Sequence, residues 1–111
     1  MPTYRVLNAD GVVVDETQTP VEMGKEKAHK MYKAMVTTSI MDGLMYDSQR
    51  QGRVSFYMVS AGEEGVAVGT AAALEDGDVL YSQYREQGAL MYKGFTLDEV
   101  GDRVWVLGRR D

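Results

Sequence analysis

The sequence predicts a mainly α chain with short β pieces, and three observations carry that expectation. From Glu22 to Gln51 the apolar residues Met31, Tyr32, Met35, Val36, Ile40, Leu44 and Met45 recur at three- and four-residue spacing, the period of a helix. A second stretch, Glu63 to Leu74, is rich in alanine and glycine and opens on two acids, Glu63 and Glu64, which suit the positive end of a helix dipole. The β-branched and aromatic runs, by contrast, are short and do not add up to a self-contained sheet.

Taken in chain order, Tyr4 to Leu7 and Val12 to Val14 flank Asn8-Ala9-Asp10-Gly11, and Asp-Gly between such runs predicts a small hairpin. Asp15 to Thr19 is polar linker. Thr19 suits a helix N-cap with Pro20 at the first helical position. The helix from Glu22 to Gln51 is long for a globular protein, and Gly43, at about 1 kcal/mol against alanine, is where a break is expected. Gly52 ends it as a C-terminal cap. Val54 to Val59 reads as a short strand, and Ser60-Ala61-Gly62 lead into the second helix. Small residues there let a neighbouring backbone approach closely, so that helix is expected to pack against another. Glu75-Asp76-Gly77-Asp78 is a turn, Val79 to Arg85 a second strand, and Gln87 to Lys93 a third, short helix. Thr96 and Glu99 have capping-box spacing and announce another helix. Gly101-Asp102 is expected to interrupt it at once and leave Arg103 to Gly108 as strand or tail.

Bulk properties exclude several classes of function. The 111 residues allow one domain, and 44% hydrophobic with 26% charged residues is ordinary for a globular protein. A net charge of −5 argues against nucleic-acid binding, which needs a basic face. Lys25, Lys27, Lys30 and Lys33 read as the solvated face of the long helix. No cysteine is present, so thiolate metal sites, disulfides and thiol nucleophiles are excluded. No apolar run approaches the ~18 residues of a membrane span. The start MPTYRVLNADG resembles neither a signal peptide nor a transit peptide, so an import signal is expected either upstream and removed or never to have existed. Eight methionines fit either adaptable core filling or a partner-facing surface.

Few residues suggest chemistry by type alone. His29 is the single histidine and sits on the lysine-rich helix, where it is expected to face water. One histidine and no cysteine make a zinc site or a serine triad improbable. The paired acids Glu63-Glu64, Glu75-Asp76 and Asp98-Glu99 read first as caps and turns, although hard cations also take carboxylates. Two stretches stand out: Ser55-Phe56-Tyr57 and Gln83-Tyr84-Arg85-Glu86. Both put aromatic and polar groups at an expected strand-to-helix junction, where α/β proteins bind ligands. An arginine beside helix N-termini suits an anion such as a diphosphate. Core packing of Phe56 and Tyr84 is the plainer reading.

The run QRQGRVSFYMVSAGEEG, then Gly69 to Leu74, then QYREQGALMYKGF resemble the α subunits of branched-chain 2-oxo acid dehydrogenase decarboxylase components. Tyr4 to Leu7, Asp10-Gly11, Met31 to Lys33 and Met41 to Asp47 fit the N-terminal region of the same family, so the likeness runs from about residue 3 to residue 99. The resemblance implies the N-terminal fragment of a thiamine-diphosphate-binding α/β fold, incomplete as a stand-alone domain. Residues 1–20 would be hairpin and linker, 21–99 the helical N-terminal part of that domain, and 100–111 a divergent tail.

The implied cofactor is thiamine diphosphate with magnesium, bound between α and β subunits of an α2β2 assembly. The implied reaction is oxidative decarboxylation of a branched-chain 2-oxo acid, with the acyl group passed to a lipoyl-bearing acyltransferase core. By resemblance Tyr84 and Arg85 contact the diphosphate. Phe56 and Gln83 line the wall near the thiazolium and the substrate chain, Tyr57 adds to the substrate wall, and Ser55 is structural. The family's magnesium motif lies further along the subunit than this chain extends, so its ligands are expected outside these residues. No catalytic residue is assigned, and the chain alone is expected to be inactive. The alternative is a truncated, non-catalytic fragment that serves only as an interaction module. A eukaryotic source would imply the mitochondrial matrix, a bacterial one the cytoplasm.

Overall fold

Four helices follow one another along the chain: α1 (Lys25–Arg50), α2 (Glu64–Ala73), α3 (Gln87–Tyr92) and α4 (Leu97–Gly108). They belong to a computed structural model that describes residues 3–18 and 22–108. The proposed Thr19–Pro20 helix start lies outside the described residues. Within them α1 opens at Lys25 behind Gly24, which offers no side-chain cap.

The N-terminal hairpin forms. Leu7 and Val13 make an antiparallel bridge, the Asn8 N–H donates to the Val12 carbonyl, and the Val14 N–H donates to Val6. Asn8 Oδ1 accepts from the backbone of Asp10 and Val12, and Gly11 takes the left-handed φ of 77° that the turn needs. Its apolar residues Tyr4, Val12 and Val14 stay exposed, so it is held by local hydrogen bonds and not by a core.

Helix α1 runs unbroken through Gly43, against the expectation of a break there. Gly43 is exposed, and a helix this long loses only about 1 kcal/mol to one glycine. The methionine-rich pattern also resolves into two stripes. Ala34, Thr38, Met41, Asp42 and Met45 are buried, whereas Tyr32, Val36, Ile40 and Leu44 are exposed. At about 100° per residue these sets lie on roughly opposite faces.

The helix stops where the sequence says it should. Gly52 has φ 73°, its N–H donates to Gln49, and the Arg53 N–H donates to Ser48, the paired bonds of a Schellman cap. The same pair recurs at Gly94 (φ 109°), with Gly94 bonded to Met91 and Phe95 to Leu90. A Cβ on Gly52 would meet no atom within 4 Å, so Gly52→Ala is expected to cost only the backbone strain, about 1 kcal/mol, read from a urea unfolding midpoint.

Helices α1, α2 and α3 pack mutually around one small core, and a second forms between α1, the 54–57 segment and α4. One joins Ala34 of α1, Val68, Ala71 and Ala72 of α2, and Ala89 and Tyr92 of α3. The other joins Met41 and Met45 of α1 to Val54, Tyr57 and Val100. The alanines of α2 make the first core possible, since they let the backbones close, as expected. At the junction Gly88 faces Thr38 and Val68, and a Cβ there would stand 3.1 Å from each.

Two expectations for local structure change. Residues 54–59 and 79–83 form neither strand nor helix, with a bend at Val54 and Ser55, and these runs serve as straps joining the helices. Helix α4, in turn, is not interrupted at Gly101-Asp102. Its capping box is complete: Glu99 Oε2 accepts from the Thr96 N–H at 2.8 Å and the Glu99 N–H donates to Thr96 Oγ1. Val100, 4% exposed, anchors the first turn in the second core, and cap and anchor together outweigh one glycine. Leu97, Val100, Val104 and Leu107 keep helical spacing in the sequence, a signal that the Gly-Asp pair masks.

The chain is extended for its length. Its radius of gyration is 16.4 Å, against about 13 Å for a compact domain of this size. The exposed stripe of α1 and the exposed hairpin agree with a fold that is incomplete by itself.

Candidate functional site

The two straps meet at their C-terminal ends, and a cavity of about 320 Å³ opens between them. Phe56 and Tyr57 come to it from the first strap, Gln83 from the end of the second, and Tyr84 and Arg85 from the bend just beyond it. All five residues singled out in the sequence therefore share one cavity, although twenty-five or more residues separate the two groups in the chain.

The five are not equivalent. Phe56 and Tyr84 are 58% and 51% exposed, and their rings meet edge to face with centroids 6.1 Å apart. An aromatic pair normally gains by full burial, so this one is a wall with one side uncovered. Tyr57 is turned into the second core, and its hydroxyl donates to Asp42 Oδ1 at 2.6 Å, so that hydroxyl is committed away from the cavity. Gln83 is exposed and its N–H donates to Glu86 Oε2.

Arg85 carries the site's positive charge. Its backbone adopts φ 57°, the one left-handed residue other than glycine among those described. Such a conformation costs on the order of 1 kcal/mol or more and persists only where neighbours enforce it. Its Nη1 lies 3.3 Å from Glu63 Oε1, at the start of α2. Both side chains are about half exposed, so the pair contributes at most about 1 kcal/mol and leaves the guanidinium able to exchange partners.

Sequence reasoning missed the polar network beneath this wall. Asp42, buried on α1, accepts from the Tyr57 hydroxyl and the Ser60 N–H. The Ser60 hydroxyl lies 3.1 Å from Gln87 Oε1 and 3.4 Å from the Arg85 carbonyl, and Gln87 Nε2 donates to the Met58 carbonyl. No buried side-chain polar atom among the described residues lacks a partner. The available signal was positional: Asp42 shares a helix face with Thr38, Met41 and Met45, an unusual place for a carboxylate unless something donates to it.

Burial, and then the Asp42 hydrogen bond and charge, push the Tyr57 phenol well above its ordinary value of about 10, with a weaker opposing contribution from Gln87. The neutral phenol is thus favoured in the folded state. Below pH 10 both folded and unfolded forms keep the proton and this stability is fully present. Above pH 10 only the unfolded form releases it, so stability falls as pH rises, by up to about 1.4 kcal/mol per unit. Tyr57→Phe is expected to remove that component of the alkaline slope, measured by urea unfolding from pH 9 to 11.

The acidic turn has a structural use. Asp78 Oδ2 accepts from the Glu75 N–H and the Asp78 N–H donates to the Glu75 carbonyl. Among the described residues no three His, Cys, Asp or Glu side chains converge as a metal ion would require. His29 is exposed on α1.

This chain is similar to known proteins over most of its length. A family model described as dehydrogenase E1 component matches residues 32–104, which include α1 from its second turn, both straps and the cavity. The chain is 54% identical, over 98 residues, to the 2-oxoisovalerate dehydrogenase subunit alpha, mitochondrial, of Caenorhabditis elegans, covering 88% of this chain and 22% of that protein. It is 47% identical over 100 residues to the subunit of that name from Dictyostelium discoideum, with 90% and 22% covered. Against the subunit from Homo sapiens it is 47% identical over 98 residues, with 88% and 22% covered. The chain thus spans 22% of the length of each of these curated relatives. With about two thirds of its residues matched by the family model, this chain belongs to the dehydrogenase E1 component family.

Proposed function

We propose that this chain forms one wall of the thiamine diphosphate site of a mitochondrial 2-oxoisovalerate dehydrogenase α subunit. The observation that carries the reading is the convergence of Phe56, Gln83, Tyr84 and Arg85 on one open cavity. Their chemistry fits part of such a cofactor. Arg85 offers a partly exposed guanidinium to an anionic diphosphate, and the half-covered Phe56–Tyr84 pair offers an apolar surface to the ring end and the substrate's branched chain. In this reading the magnesium ion that accompanies the diphosphate is held by residues outside this chain.

When bound, thiamine diphosphate supplies the electron sink that lets a 2-oxo acid lose carbon dioxide, and the acyl group then passes to a lipoyl carrier. The work of this chain is to bind and orient. Arg85 fixes the anionic end, Phe56 and Tyr84 exclude water from one side, and Gln83 completes the wall. The remaining walls would come from the rest of the α subunit and from a β subunit in an α2β2 assembly, which also answers the open face of the Phe56–Tyr84 pair.

The test is a calorimetric titration of thiamine diphosphate and magnesium into the α subunit carrying this segment, assembled with its β subunit. Arg85→Ala is expected to weaken binding by about 10- to 100-fold, the loss of a charge-assisted contact. Unchanged affinity would refute the reading. The exposed stripe Tyr32, Val36, Ile40 and Leu44 favours a second reading, an interaction module without cofactor contact. Assembly that persists while Arg85→Ala leaves cofactor affinity untouched would support that reading instead.

A further inference from the structure

We infer that Ser60 and Gln87 are positioning residues for Arg85: they tie the 83–87 segment to the 56–60 segment so that the cation and the aromatic wall face one cavity. The inference rests on the cofactor reading of that cavity. No strand pairing joins the two straps, so side chains must set their spacing.

Gln87 does this from both ends of its amide. Its Oε1 accepts from the Ser60 hydroxyl and its Nε2 donates to the Met58 carbonyl, which closes a ring across the straps. Ser60 is 1% exposed, and its N–H is held by Asp42, so the ring is fixed to α1 and cannot drift with the loop. The Ser60 hydroxyl also stands 3.4 Å from the Arg85 carbonyl. The hydroxyl's single proton goes to the nearer Gln87 Oε1, so the hold on the left-handed backbone of Arg85 comes from the anchored Gln87 two residues further on. Without it, Arg85 is free to relax to negative φ, which swings the direction of its side chain. Asp42, Ser60 and Gln87 thus convert a strained backbone at Arg85 into a preset direction for its guanidinium.

Gln87 also lines the cavity, so a direct contact with the cofactor must be separated from a positioning role. A double-mutant cycle does so in the assembled α and β subunits, with thiamine diphosphate and magnesium affinity read by calorimetry and stability by urea unfolding. Gln87→Leu is expected to weaken binding about tenfold in the parent, and by less than about twofold in the Arg85→Ala background, because its effect passes through Arg85. The stability loss from Gln87→Leu should be equal in both backgrounds. Affinity losses that multiply in the double variant, or a Gln87→Leu protein that binds as the parent does, would overturn the positioning role while leaving the cofactor reading intact. An Arg85→Ala protein with parental affinity would overturn both.

Discussion

Replacing Asp42 with alanine is expected to lower the unfolding free energy by about 3–4 kcal/mol, a large share of the roughly 5–15 kcal/mol a domain has. The carboxylate is 4% exposed and accepts from two buried donors, the Tyr57 hydroxyl and the Ser60 N–H. Hydrogen bonds to a charged group contribute about 1.5–3 kcal/mol each, and the variant leaves both donors without an acceptor. Relief from burying a carboxylate works the other way and keeps the net below the simple sum. Asp42→Asn keeps one acceptor and sets an N–H against the second donor, so about 2 kcal/mol is expected. The measurements are a urea midpoint and hydrogen exchange at the Ser60 amide. Parental protection of that amide in Asp42→Ala would show that the network does not hold the strap to α1.

Gly88→Leu is expected to cost at least about 3 kcal/mol and to separate α3 from α1 and α2. A Cβ alone would stand 3.1 Å from Thr38 Oγ1 and 3.1 Å from Val68 Cγ2. Neither neighbour can yield cheaply: Thr38 and Val68 are both 0% exposed, and the Thr38 hydroxyl is bonded to the Ala34 carbonyl at 2.8 Å. Overpacking of this kind costs about 1–3 kcal/mol for a few methylenes, and leucine adds four carbons to a closed site. Gly88→Ala is the control. Its single methyl meets the same two atoms, but the gain of about 1 kcal/mol in helix propensity offsets much of the clash. A small loss for alanine beside a large one for leucine, by circular dichroism melts, is the expected contrast. Equal, small effects would mean the three-helix junction is looser than these distances imply.

The parts of the fold that were legible in the sequence are those settled within a few residues. Gly52 needs only its own φ and the carbonyls of Ser48 and Gln49 to end α1. Thr96 and Glu99 need only each other to begin α4. Asn8 organises the hairpin through bonds to Asp10 and Val12. The site residues were legible for another reason: Phe56 and the Gln83–Arg85 run are unusual residue types at segment ends, and their resemblance to a known family named them before any geometry did. The errors were about competition between terms. Gly43 and Gly101 were read as breaks because a local penalty of about 1 kcal/mol was weighed without the packing and capping that offset it. The runs at 54–59 and 79–83 look like strands because their residues suit extended backbone, but no neighbouring strand among the described residues completes a ladder.

From the sequence alone come the order of the helices, the C-terminal end of α1, the start of α4 and the residue types that stand at the cavity, because capping chemistry and residue type act over short distances along the chain. Only the tertiary structure decided which stripe of α1 turns inward, that Tyr57 gives its hydroxyl to Asp42, and that Ser60 and Gln87 join the two straps beneath Arg85. These are contacts between residues that lie far apart in the sequence. Each depends on where packing places a whole helix, and no local preference encodes that.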